Sequence, residues 1–170
     1  GLAPRRVALD GVLVDAAVAA GAELREGFPI HELTFEDGRV TGVRGASDVT
    51  ERARIVIGAD GRNSRVAKHV QAASYSEAPT LTCWYFSYWS GVPGNALELY
   101  MRGRNVIFAF PTNDDLFAVF VSWPIDELDG VRSNAARQLM TAVDAVPELA
   151  ERVRSGTREE RIYGATSLPN

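Results

Sequence analysis

The first twenty residues alternate with the period of a helix. Between residues 7 and 20, Leu9, Val12, Leu13, Ala16, Ala17 and Ala20 recur at the three-, four-, seven- and eight-residue spacing of one apolar face. Gly21 follows as a left-handed C-terminal cap. The pattern then shortens. Residues 23–26 predict a brief strand, and residues 30–35 and 39–44 predict two more, joined by Glu36-Asp37-Gly38, where Asp-Gly is a strong hairpin signal. Gly45-Ala46-Ser47-Asp48 predicts a further turn. In the run from Arg52 to Gly61, Ile55-Val56-Ile57 is continuously apolar, as expected of a strand covered on both faces. It leads into a glycine-rich turn, after which Ser64 can cap a short helix through Val70.

Beyond about Gln71 the chain becomes aromatic: 12 of its 15 aromatic residues lie between Tyr75 and Trp123. Residues 80–90, 96–101, 106–110 and 116–123 predict four strands. The intervening residues 91–94, 102–104 and 112–115 predict turns. Such short connections imply an antiparallel meander. Leu97, Leu99 and Met101 alternate with Glu98, Tyr100 and Arg102, so one face of that strand is wet. In residues 80–90 both faces are apolar or semi-polar. Leu81, Cys83, Tyr85 and Trp89 point one way, and Trp84, Phe86 and Tyr88 the other. Helical spacing returns at residues 134–143, with Ser133 or Asp129 as candidate caps. A second helix opens at Pro147, which suits a first helical turn, and closes near Gly156. Arg161-Ile162-Tyr163 predicts a last strand, and Leu168-Pro169-Asn170 shows no pattern of a terminating helix.

Composition narrows the chemistry. The 170 residues are 46% hydrophobic and 24% charged, which excludes wholesale disorder and permits a packed core. The net charge of −4 argues against a nucleic-acid partner. No apolar run approaches the roughly 20 residues of a membrane helix. One cysteine, Cys83, and two histidines, His31 and His69, provide no disulfide and no obvious metal set. A reducing, cytoplasmic setting is the expectation, with Cys83 an inert thiol. All but one of the 18 basic residues are arginine, the exception being Lys68, which reads as codon bias before phosphate recognition.

The sharpest motif is Gly58-Ala59-Asp60-Gly61-Arg62-Asn63-Ser64-Arg65-Val66. Glycines at 58 and 61 allow backbone to approach a ligand closely. Exposed amides at the start of the following helix attract anions. A carboxylate at Asp60 can accept from sugar hydroxyls. This set suits a dinucleotide, with one alternative reading: a tight turn in which Asp60 merely caps backbone amides. Trp84, Phe86 and Tyr88 can line an apolar pocket or form core and subunit interface. Phe110-Pro111-Thr112 at a strand end is a second candidate. No side chain stands out as catalytic.

The Asp-Gly stretch resembles the corresponding motif of FAD-dependent monooxygenases and related reductases with the para-hydroxybenzoate hydroxylase fold. There an apolar strand leads into Gly-Ala-Asp-Gly-x-x-Ser-x-Val. Arg6-Val7-Ala8-Leu9-Asp10, with Leu13, Ala17 and Gly21-Ala22-Glu23, is similar to that family's Arg-x-x-Leu-Asp helix ending in Gly-Ala. The resemblance implies an α/β to α+β fold: a partial dinucleotide-binding domain over residues 1–72, and an antiparallel β-sheet substrate-binding domain with flanking helices over residues 73–170. It implies that Arg6, Asp60 and Gly61 contact FAD, and that NADH or NADPH is the reductant. Trp84, Phe86, Tyr88, Phe110, Pro111 and Thr112 would face a small apolar or aromatic substrate that receives an oxygen atom. A homo-dimer through the aromatic sheet is a further expectation.

The chain departs from the family pattern in three places. Ala67 stands where the family motif often has arginine, with Lys68 next. No Gly-x-Gly-x-x-Gly fingerprint occurs, and no downstream Gly-Asp motif. The expectation is therefore a central section of a longer enzyme, inactive by itself and weak in FAD binding. A flavin-dependent reductase or dehydrogenase of the same fold needs the same motifs. A cofactor-free α+β binding or dimerisation module is the rival of another class.

Overall fold

The computed structural model describes residues 3–166, so the expectation for Leu168-Pro169-Asn170 lies outside the described residues. The chain divides into two compact units: residues 16–75, and residues 3–15 together with 76–166.

In the unit of residues 16–75, strands β1 (Glu32–Glu36), β2 (Arg39–Arg44) and β3 (Thr50–Arg52) form an antiparallel sheet in that order. Asp37 and Gly38, both at positive φ (49° and 75°), make the hairpin turn. That is the geometry Asp-Gly tolerates and which matches the twist of the flanking strands. Leu33 is the buried anchor of β1 and pairs across to Val43. Gly45 gives its space to the ring of Phe28, where a Cβ would collide at 2.4 Å. The expected turn at residues 45–48 is a 3-10 turn, Ala46–Asp48, with Ser47 and Asp48 left-handed.

Two strand expectations fail in this unit. Residues 23–26 are irregular. Three of the four are charged, and Arg25 binds the carboxylates of Glu23 and Glu51, so there is no apolar face to hold them against a sheet. Ile55-Val56-Ile57 is also irregular, with Ile55 and Ile57 77% and 84% exposed. Its apolarity is real, but a strand requires a neighbour to take its backbone groups. The sheet of this unit stops instead at β3, a strand the hydrophobic pattern did not mark. Helix α2 (Arg65–His69) follows with Ser64 as its N-cap, as expected.

In the other unit, β4 (Thr82–Ser90), β5 (Glu98–Arg102), β6 (Asn105–Pro111), β7 (Phe117–Pro124), β8 (Thr157–Arg158) and β9 (Tyr163–Ala165) form one antiparallel sheet. Its order is β5-β6-β7-β4-β8, with β9 also paired to β4. The meander therefore holds for β5 to β7, while β4 lies beside β7 rather than β5. The last strand begins at Tyr163 and leaves Arg161 and Ile162 outside it.

Helices α3 (Leu128–Ser133), α4 (Ala135–Asp144) and α5 (Pro147–Ser155) supply the core residues that meet one face of this sheet. Cys83, Tyr85, Trp89, Ile107, Val119, Val121 and Trp123 pack with Leu139, Val143, Leu149 and Val153. The cap of α4 is Asn134, whose side-chain Oδ1 accepts from the Arg137 N–H, rather than Ser133 or Asp129. Pro147 opens α5 as expected.

The wet face of β5 is the apolar one. Leu97, Leu99 and Met101 are exposed, while Tyr100 packs against the core and Glu98 is held by Arg152. Alternation defined the two faces of β5 without saying which looks inward. Helix α1 (Arg6–Ala19) buries none of its side chains; its expected apolar face is present but solvated. Among the described residues no helix is long and apolar enough to cross a membrane.

Candidate functional site: a capped Asp-Gly turn and an aromatic sheet face

In the unit of residues 16–75, Asp60 closes the start of α2. Its Oδ1 accepts from the Ser64 hydroxyl at 2.5 Å, and its Oδ2 accepts from the Arg65 and Val66 N–H groups at 2.6 and 3.2 Å. Ser64 Oγ accepts from Ala67 N–H at 2.9 Å, and Ser64 N–H donates to Gly61 O. The helix-start amides are thus satisfied internally, which corrects the expectation that they stand open to an anion. A helix this short leaves few donors once its own caps are in place. The Ser64 hydrogen bond holds the exposed Asp60 carboxyl below the usual carboxylate range, opposed by desolvation and helped by the Val66 and Arg65 N–H groups.

The two glycines of the turn do different work. A Cβ on Gly58 would lie 2.7 Å from Val66, so its bareness serves the packing of the incoming irregular segment on α2 rather than a ligand. Gly61 has φ +79° and open space around its Cα, so only there does the backbone stay free for close approach. Beside the turn lies a cavity of about 390 Å³, lined among others by His31, Leu33, Val56, Asp60, Val66 and His69. From the sequence the two histidines offer no obvious metal set. The structure brings both to one cavity, a proximity that residues nearly forty positions apart could not announce. Among the described residues no cluster could hold a metal ion.

In the other unit, the sheet face opposite the helices carries a half-buried aromatic layer. Phe86 and Phe120 face each other across β4 and β7 and stack at 4.2 Å with planes 7° apart. Phe110 stacks on Phe120 at 5.6 Å, Tyr163 on Phe86 at 5.4 Å, and Trp84 on Phe108 at 5.6 Å. Tyr88 meets Phe86 edge-on. The predicted Trp84, Phe86, Tyr88 and Phe110 therefore share one surface. Phe108, Phe120 and Tyr163 belong to it too, and the alternation of β6 and β7 could have placed the first two there. Pro111 is exposed at the strand end. Thr112 is committed to the chain, donating its hydroxyl to Ala3 O at 2.7 Å.

A smaller cavity of about 260 Å³ opens at the edge of this layer, lined by Arg5, Arg6, Val7, Phe86, Tyr88, Glu160 and Tyr163. Arg6 is largely exposed and pairs both nitrogens of its fork with Asp10, at 3.0 and 3.1 Å. Arg5 lies over the Tyr88 ring at 4.3 Å and pairs with Glu160 at 2.5 Å. Burial opposes the Arg5 charge, but the Glu160 hydrogen bond and charge, with a further contribution from the Tyr88 phenol group, outweigh it, so the guanidinium is more basic than usual. On the helix side of the sheet, burial pushes the Cys83 thiol up, as expected of an inert residue.

Within each unit, taken by itself, the residues present suit part of a flavin nucleotide. Arg6, Asp60 and Gly61 are exposed; Asp60 retains acceptor capacity on Oδ1; and the aromatic layer is open on one side. Comparison with known proteins identifies the family. A family model described as FAD binding domain matches residues 5–160. The protein FixC of Salmonella typhi is 32% identical over 128 residues, which are 74% of this chain and 27% of FixC.

Among solved structures, pqsL of Pseudomonas aeruginosa, a probable FAD-dependent monooxygenase, superposes with TM-score 0.70 at 20% identity, over 92% of this chain and 45% of its own. The flavin-dependent brominase Bmp2 superposes with TM-score 0.80 at 19% identity, over 95% of this chain and 43% of its own. The chain thus spans about a quarter of the curated relative and under half of either structure. The mixed helix and antiparallel-sheet architecture is that of the FAD-binding flavoprotein monooxygenases, and the chain belongs to the FAD binding domain family.

Proposed function

We propose that the chain is the central part of an FAD-dependent monooxygenase that draws its electrons from NADH or NADPH and acts on a small apolar or aromatic substrate. The observation that carries this reading is the stacked, half-buried aromatic layer centred on Phe86 and Phe120, open on the side away from the core. When bound, the flavin supplies the electron transfer and oxygen chemistry that protein side chains do not offer. The chain's own residues bind, orient and keep the site dry. Trp84, Phe86, Tyr88 and Phe110 offer flat apolar walls to a ring and exclude water from it. Arg6 presents a cation to the cofactor's phosphates. Asp60, with its carboxylate held ionised, offers an acceptor to a sugar hydroxyl, and Gly61 lets the backbone come close. Pro111 and Thr112 border the aromatic layer at its strand end. A cytoplasmic setting accords with a single buried thiol.

The test uses the protein expressed from its complete reading frame. The expected results are a yellow protein, oxidation of NADH or NADPH that is stimulated by aromatic acids or phenols, and a product heavier by one oxygen atom. A colourless protein would reject the cofactor assignment. A yellow protein that oxidises NADH or NADPH but never yields an oxygenated product would favour the flavin-dependent reductase reading.

A further inference from the structure

We propose that Arg5, through its pairing with Glu160, is a positioning residue that fixes the start of α1 against the aromatic layer and thereby aims Arg6. This rests on the reading of Arg6 as a cofactor contact. Arg5 stands at the N-cap of α1: its carbonyl accepts from Ala8 and Leu9 N–H, both at 3.0 Å. Its other groups are held by the sheet strand β4 and by the loops that follow β6 and β8. Its N–H donates to Asn113 Oδ1 at 2.8 Å, its Nη2 binds Glu160, and its guanidinium plane covers Tyr88.

Glu160 is itself pinned. Its Oε2 accepts from the Tyr163 hydroxyl at 2.9 Å, and its backbone carbonyl accepts from Ser87 Oγ at 2.7 Å. Two residues before Arg5 in the helix-entry segment, Ala3 O accepts from the Thr112 hydroxyl. The Arg5 and Glu160 side chains are 20% and 22% exposed, against 83% for Arg6.

Two adjacent arginines therefore have separate tasks. Successive helical positions differ by about 100° around the axis, so they cannot face the same way. Arg5 is spent on protein. That choice fixes the rotation of a helix which buries no side chain of its own and would otherwise be free to turn. Arg6 is left at the mouth of the small cavity that Phe86, Tyr88 and Tyr163 line. A guanidinium suits the first task because its planar fork can pair with a carboxylate while its face covers a ring; a lysine provides only the charge.

The experiment uses the full-length protein with Arg5→Gln, Arg5→Lys and Glu160→Gln. Two measurements are made on each: hydrogen exchange of the α1 first-turn amides in the absence of FAD, and the FAD dissociation constant from flavin fluorescence. Arg5→Gln and Glu160→Gln are each expected to speed exchange at Ala8 and Leu9 and to weaken FAD by about tenfold, with Arg5→Lys in between. Combining the two Gln changes should add little, because they break one link. Unchanged exchange at Ala8 and Leu9 would overturn the clamp, whatever FAD does. Faster exchange with FAD affinity within about twofold of the parent would overturn its role in aiming Arg6. Loss of FAD affinity in Arg5→Gln alone would also overturn the pairing, since Arg5 would then be touching the cofactor. A parent protein without flavin affinity would reject the cofactor reading, while exchange would still decide the clamp.

Discussion

Replacing Arg152 with methionine should cost the sheet unit about 2 kcal/mol at neutral pH and progressively less in acid. Arg152 reaches from α5 to β5 and binds both carboxylate oxygens of Glu98 while donating to Pro93 O at 2.9 Å. Glu98 also accepts from the Tyr100 hydroxyl at 2.6 Å. The two charged side chains are 24% and 22% exposed. Breaking a fully buried pair costs roughly 3–5 kcal/mol, and exposed pairs are worth under about 1 kcal/mol, so about 2 kcal/mol is the scale for this intermediate case.

Methionine keeps the apolar stem, so the loss isolates the fork. For a unit of about 100 residues this corresponds to a fall in Tm of roughly 10 °C. Arg152's hydrogen bonds are the first reason the Glu98 carboxyl sits below its ordinary range, helped by Tyr100 and opposed by burial. The stabilisation is therefore present above the ordinary carboxylate pKa and is lost as pH falls through the depressed folded value. Thermal unfolding of parent and variant, followed by circular dichroism between pH 7 and pH 3, should show the gap closing towards acid. An equal gap at every pH would refute the reasoning and leave only the guanidinium's pH-independent contacts, its bond to Pro93 O and its place over the Phe117 ring. A double variant with Glu98→Gln should lose less than the sum of its parts.

Gly58→Ala places a Cβ 2.7 Å from Val66 and should destabilise the hairpin unit by about 1–3 kcal/mol, read as a local loss of protection around α2. Ser64→Ala removes both the cap of Ala67 N–H and the donor to Asp60, with an expected cost of about 1 kcal/mol in thermal unfolding. Asp60→Asn should expose the Arg65 and Val66 amides to faster exchange at neutral pH. In the parent the same change should set in only as pH falls through the depressed Asp60 value, since the ionised carboxylate is the better acceptor. Equal exchange in both proteins at pH 7 would show that the cap is not carried by charge. Phe120→Leu breaks the stack with Phe86 and Phe110 and should weaken binding of an aromatic probe such as benzoate about three- to tenfold in equilibrium titration, with little change in FAD affinity.

What the sequence made legible depends on whether a signal is completed within a few residues. The Asp37-Gly38 hairpin, the Ser64 cap and the Pro147 start of α5 are local, and the structure has each of them. The aromatic face is nearly as local: alternation along β4 separates Trp84, Phe86 and Tyr88 from Cys83, Tyr85 and Trp89, and pairing with β7 then brings Phe120 onto Phe86. Signals that depend on a distant neighbour went astray. Alternation along β5 could not say that Tyr100 would look inward, because Arg152, over fifty residues later, decides it by claiming Glu98. Continuous apolarity at Ile55-Val56-Ile57 expresses a need for cover on both faces, but carries no information on which strand supplies it.

The Asp60 motif shows the same limit from the other side. Its two sequence readings, nucleotide cradle and helix cap, were set against each other as alternatives, yet the geometry makes them compatible. The carboxylate spends three acceptor positions on Ser64, Arg65 and Val66, and that spending is what holds it ionised and fixed in direction, with a lone pair left over on Oδ1. A capping role does not compete with a ligand role here: it supplies the rigidity a ligand contact needs.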